Sequence, residues 1–305
     1  MTYIDRIGSD IDRASAILRD GGIVGMPTET VYGLAARALD ETAVHRVFAT
    51  KGRPKNHPLI VHLAPNADVS QWGVVSSHTA ALMEAFWPGP LTLLIPRTPL
   101  VPDWVTGGRD SVAIRIPSHP MAVALLQGVA DGVVAPSANM FGRVSPTTGQ
   151  HVLDDLGELV DYVLDGGRCE VGIESTIVDC TGQALCILRP GAITEVEIAH
   201  VTGLELTDNI GESRAPGMLV SHYSPTATVV LVQNHSEAQS KKIELEKSGN
   251  SVVIIDEPDE ERFARELYAY LRSADSDGFS HVVVVEPRGT GLSVAIRDRL
   301  LKASA

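Results

Sequence analysis

Cysteine is scarce in this chain. Cys169, Cys180 and Cys186 are odd in number and lack C-x-x-C spacing, which argues against both a disulfide framework and a thiolate zinc site. There is no run of about 18 apolar residues that could cross a bilayer, and residues 1–12 are polar and acidic, unlike a secretory leader. The reducing cytoplasm is therefore the expected compartment, with no membrane partner. Positive charge is short as well: 25 Lys and Arg stand against 38 Asp and Glu, a formal charge of −13. Broad adhesion to nucleic acid needs the opposite sign. The P-loop G-x-x-x-x-G-K-[ST], the zinc helix H-E-x-x-H and the elbow G-x-S-x-G are all missing, so the common NTPase and hydrolase readings lose their best support. What is present is the composition of a folded protein, 44% hydrophobic and 21% charged over 305 residues, long enough for two domains.

Against that acidic background, residues 44–65 contain no acid, while Arg46, Lys51, Arg53 and Lys55 supply fixed charge and His45, His57 and His62 supply titratable nitrogen. The apolar run 22–26 predicts a short buried strand, and 27–30 the loop at its C-terminal end, where open α/β sheets place ligands. Apolar spacing predicts helices over 10–20, 41–50, 76–87 and 121–129, and strands over 58–63, 91–96, 111–116, 132–135, 161–165, 174–179 and 185–188. A second acid-free stretch, 133–152, is rich in hydroxyls and ends in a helix N-cap at Thr147 or Thr148. Hairpin-like spacings mixed with helical crossovers predict α/β architecture on a twisted mixed sheet. Residues 206–225 read as a linker, although Met218, Leu219, Val220 and Tyr223 are too apolar for a passive tether. Beyond it, strands at 228–233, 251–256 and 281–286 alternate with helices, a small parallel Rossmann-like α/β domain. Its Gly289-Thr290-Gly291 turn only faintly resembles a dinucleotide loop. The expected organisation is 1–205 catalytic, 206–225 linker, 226–305 C-terminal domain.

Lys51, Arg53, Arg115 and Arg189 fall on or near predicted strand ends, with Thr30, Ser137, Ser145 and Ser175 as neutral donors. Such a set suits an anion with several oxygens, for which positioning and charge neutralisation carry the chemistry. A nucleoside triphosphate fits. Lys51 and Arg53 are expected to project from an exposed, mobile loop and to act catalytically. The plainer alternative, a solvated turn after a helix, is weakened by the strand that follows at once.

The blocks P-T-E-T-V-Y-G-L, K-G-R-P-x-x-H-P-L-I-V-H, P-G-P-L-T-L, S-V-A-I-R-I-P, P-S-A-N, E-S-T-I-V-D, L-R-P-G and P-G-M-x-x-x-H-Y-x-P occur in this order. In this the chain resembles the YrdC-like threonylcarbamoyl-AMP synthase family, in its long form with a linker and a C-terminal α/β domain. The resemblance implies a large cleft and ATP-dependent synthesis of threonylcarbamoyl-adenylate and pyrophosphate from L-threonine and bicarbonate, a nucleotidyltransferase step towards modified tRNA. It implies Mg2+ bound with ATP, no metal ligand from the protein, and a downstream tRNA threonylcarbamoyl transferase machinery. By the same resemblance Thr30, His62, Arg115, Ser175 and the Ala135 main chain are threonine positions. Lys51, Arg53, Ser111, Ser137, Ser145 and Arg189 are nucleotide positions, and Tyr223 is expected to reach back over ATP as part of a lid. His57 stands where many members have Asn, a departure at a nucleotide position. The rival reading is a module that holds double-stranded RNA in its basic cleft, reading shape and phosphate with steep salt dependence.

Overall fold

The structure, a computed structural model, describes residues 6–207 and 223–305. The larger part contains β1 (Ile7–Gly8), α1 (Ile11–Arg19), β2 (Val24–Met26), β3 (Gly33–Arg37), α2 (Glu41–Lys51), β4 (Ile60–His62), α3 (Ser77–Phe86), β5 (Leu91–Pro96) and α4 (Asp103–Thr106). It continues through β6 (Ser111–Arg115), α5 (Pro120–Val129), β7 (Val133–Val134), α6 (Gly149–Leu156), β8 (Tyr162–Leu164), β9 (Thr176–Asp179), β10 (Cys186–Arg189) and α7 (Glu195–Thr202). The smaller part is β11 (Thr228–Val232), α8 (His235–Lys247), β12 (Val252–Ile255), α9 (Glu260–Ser276), β13 (His281–Val285) and α10 (Leu292–Ala303).

The helices start where the chain offers side-chain acceptors. Asp10, Asp40, Ser76 and Thr148 each accept the backbone N–H three residues on, opening α1, α2, α3 and α6. The first ten strands form one sheet in the order β1-β8-β2-β3-β7-β4-β6-β5-β9-β10, with parallel and antiparallel neighbours intermixed. β3 is an element that apolar patterning does not predict. Gly33-Leu34-Ala35-Ala36-Arg37 has no β-branched residue, and it is a strand because β2 and β7 hydrogen-bond to it on either side.

Strand alternation sends successive residues to opposite faces. Leu34, Val134 and Val163 join α2, α3 and α6 in one core, while Ala35, Val133 and Leu164 join α1 and α5 in another. Among the described residues, helices cover the latter face over β8, β2, β3 and β7. Its continuation over β4, β6, β5, β9 and β10 carries Ile60, Ala113, Leu94, Ile177 and Leu188, a cluster to which no helix contributes. A concave face left without helices is where the cleft lies.

The second sheet has three parallel strands in the order β11-β13-β12. It does not hang free: Val31, Val144 and Ile173 of the larger part share a core with Phe263, Leu267, Tyr268 and Ile296. Arg272 forks onto Asp155 at 3.0 and 2.6 Å across the same seam. Of the expected linker, Leu206, Thr207 and 223–225 are described, and the expectations for Met218, Leu219 and Val220 lie outside the described residues.

Candidate functional site

β4 and β6 run parallel with His62 paired in register to Arg115. Because Ile60, His62, Ala113 and Arg115 are spaced by two, all four point to the uncovered face. Two polar side chains thus stand side by side on the floor of the cleft. The loop between β2 and β3 brings Thr28 and Thr30 over them, and the end of β7 brings Ala135, Pro136 and Ser137. Gly33 lets these two segments meet, since a Cβ there would lie 2.8 Å from the Ala135 Cβ. Arg53, Ser175, Arg189 and Tyr223 complete the lining. These side chains converge on one cleft.

Arg115 is fixed on three sides: Nε donates to the Gly89 carbonyl at 3.2 Å, Nη1 to Thr30 Oγ1 at 2.7 Å, and Nη2 lies 2.7 Å from Glu29 Oε1. Both charges of that pair are buried. Burial pushes the Glu29 carboxyl up, but Arg115 and backbone N–H groups outweigh it, so the net direction is down and the pair is ionised. At the other end, Arg189 donates from Nε to the Ser175 carbonyl and from Nη2 to Ser175 Oγ, both at 3.0 Å, and Ser175 Oγ sits 2.7 Å from Thr92 Oγ1. Arg53 gives Nη2 to the Pro58 carbonyl at 2.9 Å, and among the described residues its buried Nε has no hydrogen-bond partner. Arg53 lines the cleft, and a guanidinium N–H without an acceptor is a donor available to one.

The structure therefore brings Thr30, Arg53, His62, Arg115, Ala135, Ser137, Ser175, Arg189 and Tyr223 into one cleft. Four other expected residues do not line it. Lys51 is 1% exposed, and its Nζ donates to the Ser137 and Asn139 carbonyls at 2.5 Å each. It is no exposed loop cation, because α2 continues through Lys51 and turns its side chain inward; burial and Arg53 push its ammonium well down. Arg53 is likewise buried, at 9% exposure. Ser145 is fully buried beneath Glu174, to which its hydroxyl donates at 2.7 Å. His57 packs edge-on to Phe141 at 5.5 Å, and Ser111 opens β6 at the rim. Sequence reasoning missed Glu29 and Glu174, yet each is a lone acid among hydroxyls and apolar residues, a signal that a buried counter-charge is needed.

Tyr223 is buried with φ +63°, an uncommon backbone region for a residue with a side chain. Its ring stacks on Tyr268 at 5.6 Å, and the Ser224 N–H donates to the Gly142 carbonyl at 2.9 Å. The end of the linker is thus tied down at the mouth of the cleft.

His62 Nδ1 lies 3.2 Å from the Ile60 carbonyl, which only accepts, so the proton of the neutral ring sits on Nδ1. Burial and Arg115 push this imidazole down to about 3, with Glu29 partly offsetting, and burial and Arg272 take His151 to about 4. Both folded values lie below the ordinary 6.5. Between those limits the unfolded chain binds more protons, so stability falls as pH drops through that window. The melting temperature should decline from pH 7 to pH 4.5, and His62→Gln should make the decline shallower. A melting curve insensitive to pH over this range would contradict the buried neutral assignment.

Residues 16–191 match the Sua5/YciO/YrdC family, described as "Telomere recombination", and residues 193–305 match the threonylcarbamoyl-AMP synthase C-terminal domain. The chain is 37% identical to a threonylcarbamoyl-AMP synthase of Pyrococcus abyssi, over 95% of this chain and 93% of that one. It is 36% identical to one of Bacillus subtilis, over 96% and 92%. The crystal structure of P. abyssi Sua5 complexed with L-threonine superimposes with a TM-score of 0.91 at 36% identity, covering 96% of this chain and 94% of that one.

Proposed function

The chain belongs to the Sua5/YciO/YrdC family, and on that premise we propose how its cleft makes L-threonylcarbamoyladenylate. As an enzyme of this family it joins L-threonine, bicarbonate and ATP, releasing pyrophosphate and water. The amine of threonine and bicarbonate condense to a carbamate with loss of water, and a carbamate oxygen then attacks the α-phosphorus as pyrophosphate leaves. Two anions must be brought together, and the protein's contribution is positive charge, orientation and exclusion of water.

The observation that carries this reading is the gathering of three buried guanidinium groups, Arg53, Arg115 and Arg189, on one cleft. Arg115, oriented by Glu29 and Thr30, presents a planar fork to the threonine carboxylate. The neutral His62 beside it offers Nε2 to the threonine hydroxyl. Arg53 and Arg189 stand at the nucleotide end, where the unpartnered Arg53 Nε meets phosphate oxygen. Lys51 and Ser145 serve from behind, Lys51 by holding the carbonyls of the loop that carries Ser137. Mg2+ would come with the nucleotide and offset phosphate charge, and Glu29 and Glu174 would not hold it, since they are already committed to Arg115 and Arg299. Tyr223 closes over the bound nucleotide. The adenylate, a mixed anhydride open to hydrolysis, passes to a transferase acting on tRNA.

The test is pyrophosphate release from ATP by the full chain. Release that requires both L-threonine and bicarbonate is expected. Release indifferent to either, combined with salt-sensitive affinity for double-stranded RNA, would favour the RNA module instead.

A further inference from the structure

Behind the cleft, a residue of the C-terminal domain pairs with an acid that lines it. α10 carries Leu292, Ala295, Ile296, Arg299, Leu300 and Ala303 at helical spacing, so a guanidinium stands on the stripe that faces the core. Arg299 is fully buried. Its Nε pairs with Glu174 Oε2 at 2.7 Å, its Nη2 donates to the Pro190 carbonyl at 3.0 Å, and it lies 5.4 Å from the centre of the Tyr223 ring. The Tyr268 hydroxyl donates to the same carboxylate oxygen at 2.8 Å, and the Ser145 hydroxyl to the other at 2.7 Å. Glu174 immediately precedes Ser175 and Pro190 immediately follows Arg189, and those two residues are hydrogen-bonded to each other. One arginine thus braces this corner from within the cleft and one from behind it.

We propose that Arg299 is a positioning residue for the nucleotide: it supplies the counter-charge of Glu174, so that the carboxylate lining the cleft does not cancel the field of Arg189. Arg299 also pairs with Asp298 at 2.5 Å, and Asp298 with Lys302 at 2.8 Å, so the charges at this end (Arg53, Arg189, Arg299 and Lys302 against Glu174 and Asp298) sum to two positive with Arg299 and to one without it. The C-terminal domain then sets ATP affinity without touching ATP. Consistent with this, burial pushes the Glu174 carboxyl up while Arg299, first among the opposing groups, and Arg189 bring it down to about 2. The carboxylate is therefore charged at every working pH, and its neutralisation has to come from a neighbour.

This inference rests on the proposed reading of the cleft, and the experiment separates the two. Pyrophosphate release is measured with ATP and threonine varied in turn, for the parental chain, Arg299→Met, Arg299→Lys and the double variant Glu174→Gln/Arg299→Met, each with its melting temperature. A parental chain without threonine- and bicarbonate-dependent release removes the functional reading before Arg299 is at issue. Given parental activity, Arg299→Met should raise the KM for ATP about tenfold or more, because a buried carboxylate loses its partner, while the KM for threonine changes little. Arg299→Lys keeps the charge and should stay within about threefold of the parent for ATP, far from the Met variant. The double variant should recover most of the lost affinity, because the carboxylate that needed neutralising is gone. A residue that merely anchors the domain would give the opposite pattern: both KM values rising together and no recovery in the double variant. That result, or an unchanged KM for ATP in Arg299→Met, overturns the proposal. If Arg299→Met does not fold, Arg299→Lys and the double variant decide, and weak ATP binding by either overturns it equally.

Discussion

Replacing Arg53 by alanine should slow adenylate formation by about 10²-fold or more, as expected for loss of a donor aimed at developing charge. The chain should still fold. Within the protein the side chain gives up one hydrogen bond, to the Pro58 carbonyl, and an edge-of-range contact with the Phe141 ring at 5.9 Å. Its Nε, by contrast, is buried and has no hydrogen-bond partner among the described residues. A buried donor with nothing to bond opposes folding, so its presence at the cleft is explained by what it binds there. Burial brings the Arg53 guanidinium down only to about 10, so it is charged at neutral pH. Near-normal turnover by Arg53→Ala, measured as pyrophosphate release, would remove the phosphate assignment. Lys51→Ala is a different experiment. It frees the Ser137 and Asn139 carbonyls and leaves a hole at a buried position, so reduced stability should accompany any loss of rate.

Exchanging Arg115 for lysine should raise the KM for threonine by about tenfold or more, well beyond any change in the KM for ATP. Lysine is the informative replacement. It keeps a positive charge beside Glu29, so no buried carboxylate is stranded, and what is lost is the planar fork held by Gly89 and Thr30. An ammonium cannot offer two parallel N–H bonds to a carboxylate. Equal rises in both KM values would show that Arg115 acts on the cleft as a whole and is no specific partner of threonine.

Much of this arrangement could be read from the chain. The spacing of His62 and Arg115 on apolar strands puts each on a definite face, and the acid-free stretches around Arg53 and Ser137 mark anion-binding loops. Three things were illegible for physical reasons. The parallel register that sets His62 beside Arg115 is a long-range pairing, and nothing local specifies it. Whether Lys51 faces solvent depends on α2 reaching that residue, and one residue more or less of helix reverses the direction of its side chain. The pairing of Glu174 with Arg299 joins positions 125 residues apart. Only half of that signal was available, a charged residue on the apolar stripe of α10 and a lone acid in E-S-T-I-V-D, with no rule to connect them.

That separation has a consequence during biosynthesis. At about 5–20 residues per second, roughly 6–25 s pass between the ribosome's incorporation of Glu174 and of Arg299. Throughout that interval the nascent larger part presents Val31, Val144 and Ile173 without the helices that will cover them, and Glu174 without its counter-charge. A polypeptide in this state carries an apolar patch around an ionised carboxylate, which suits transient shelter by a chaperone and discourages premature burial. On the proposed role of Arg299, full ATP affinity is reached only after the last helix has docked, and a message truncated before α10 would yield a chain that holds most of the binding residues but binds ATP more weakly.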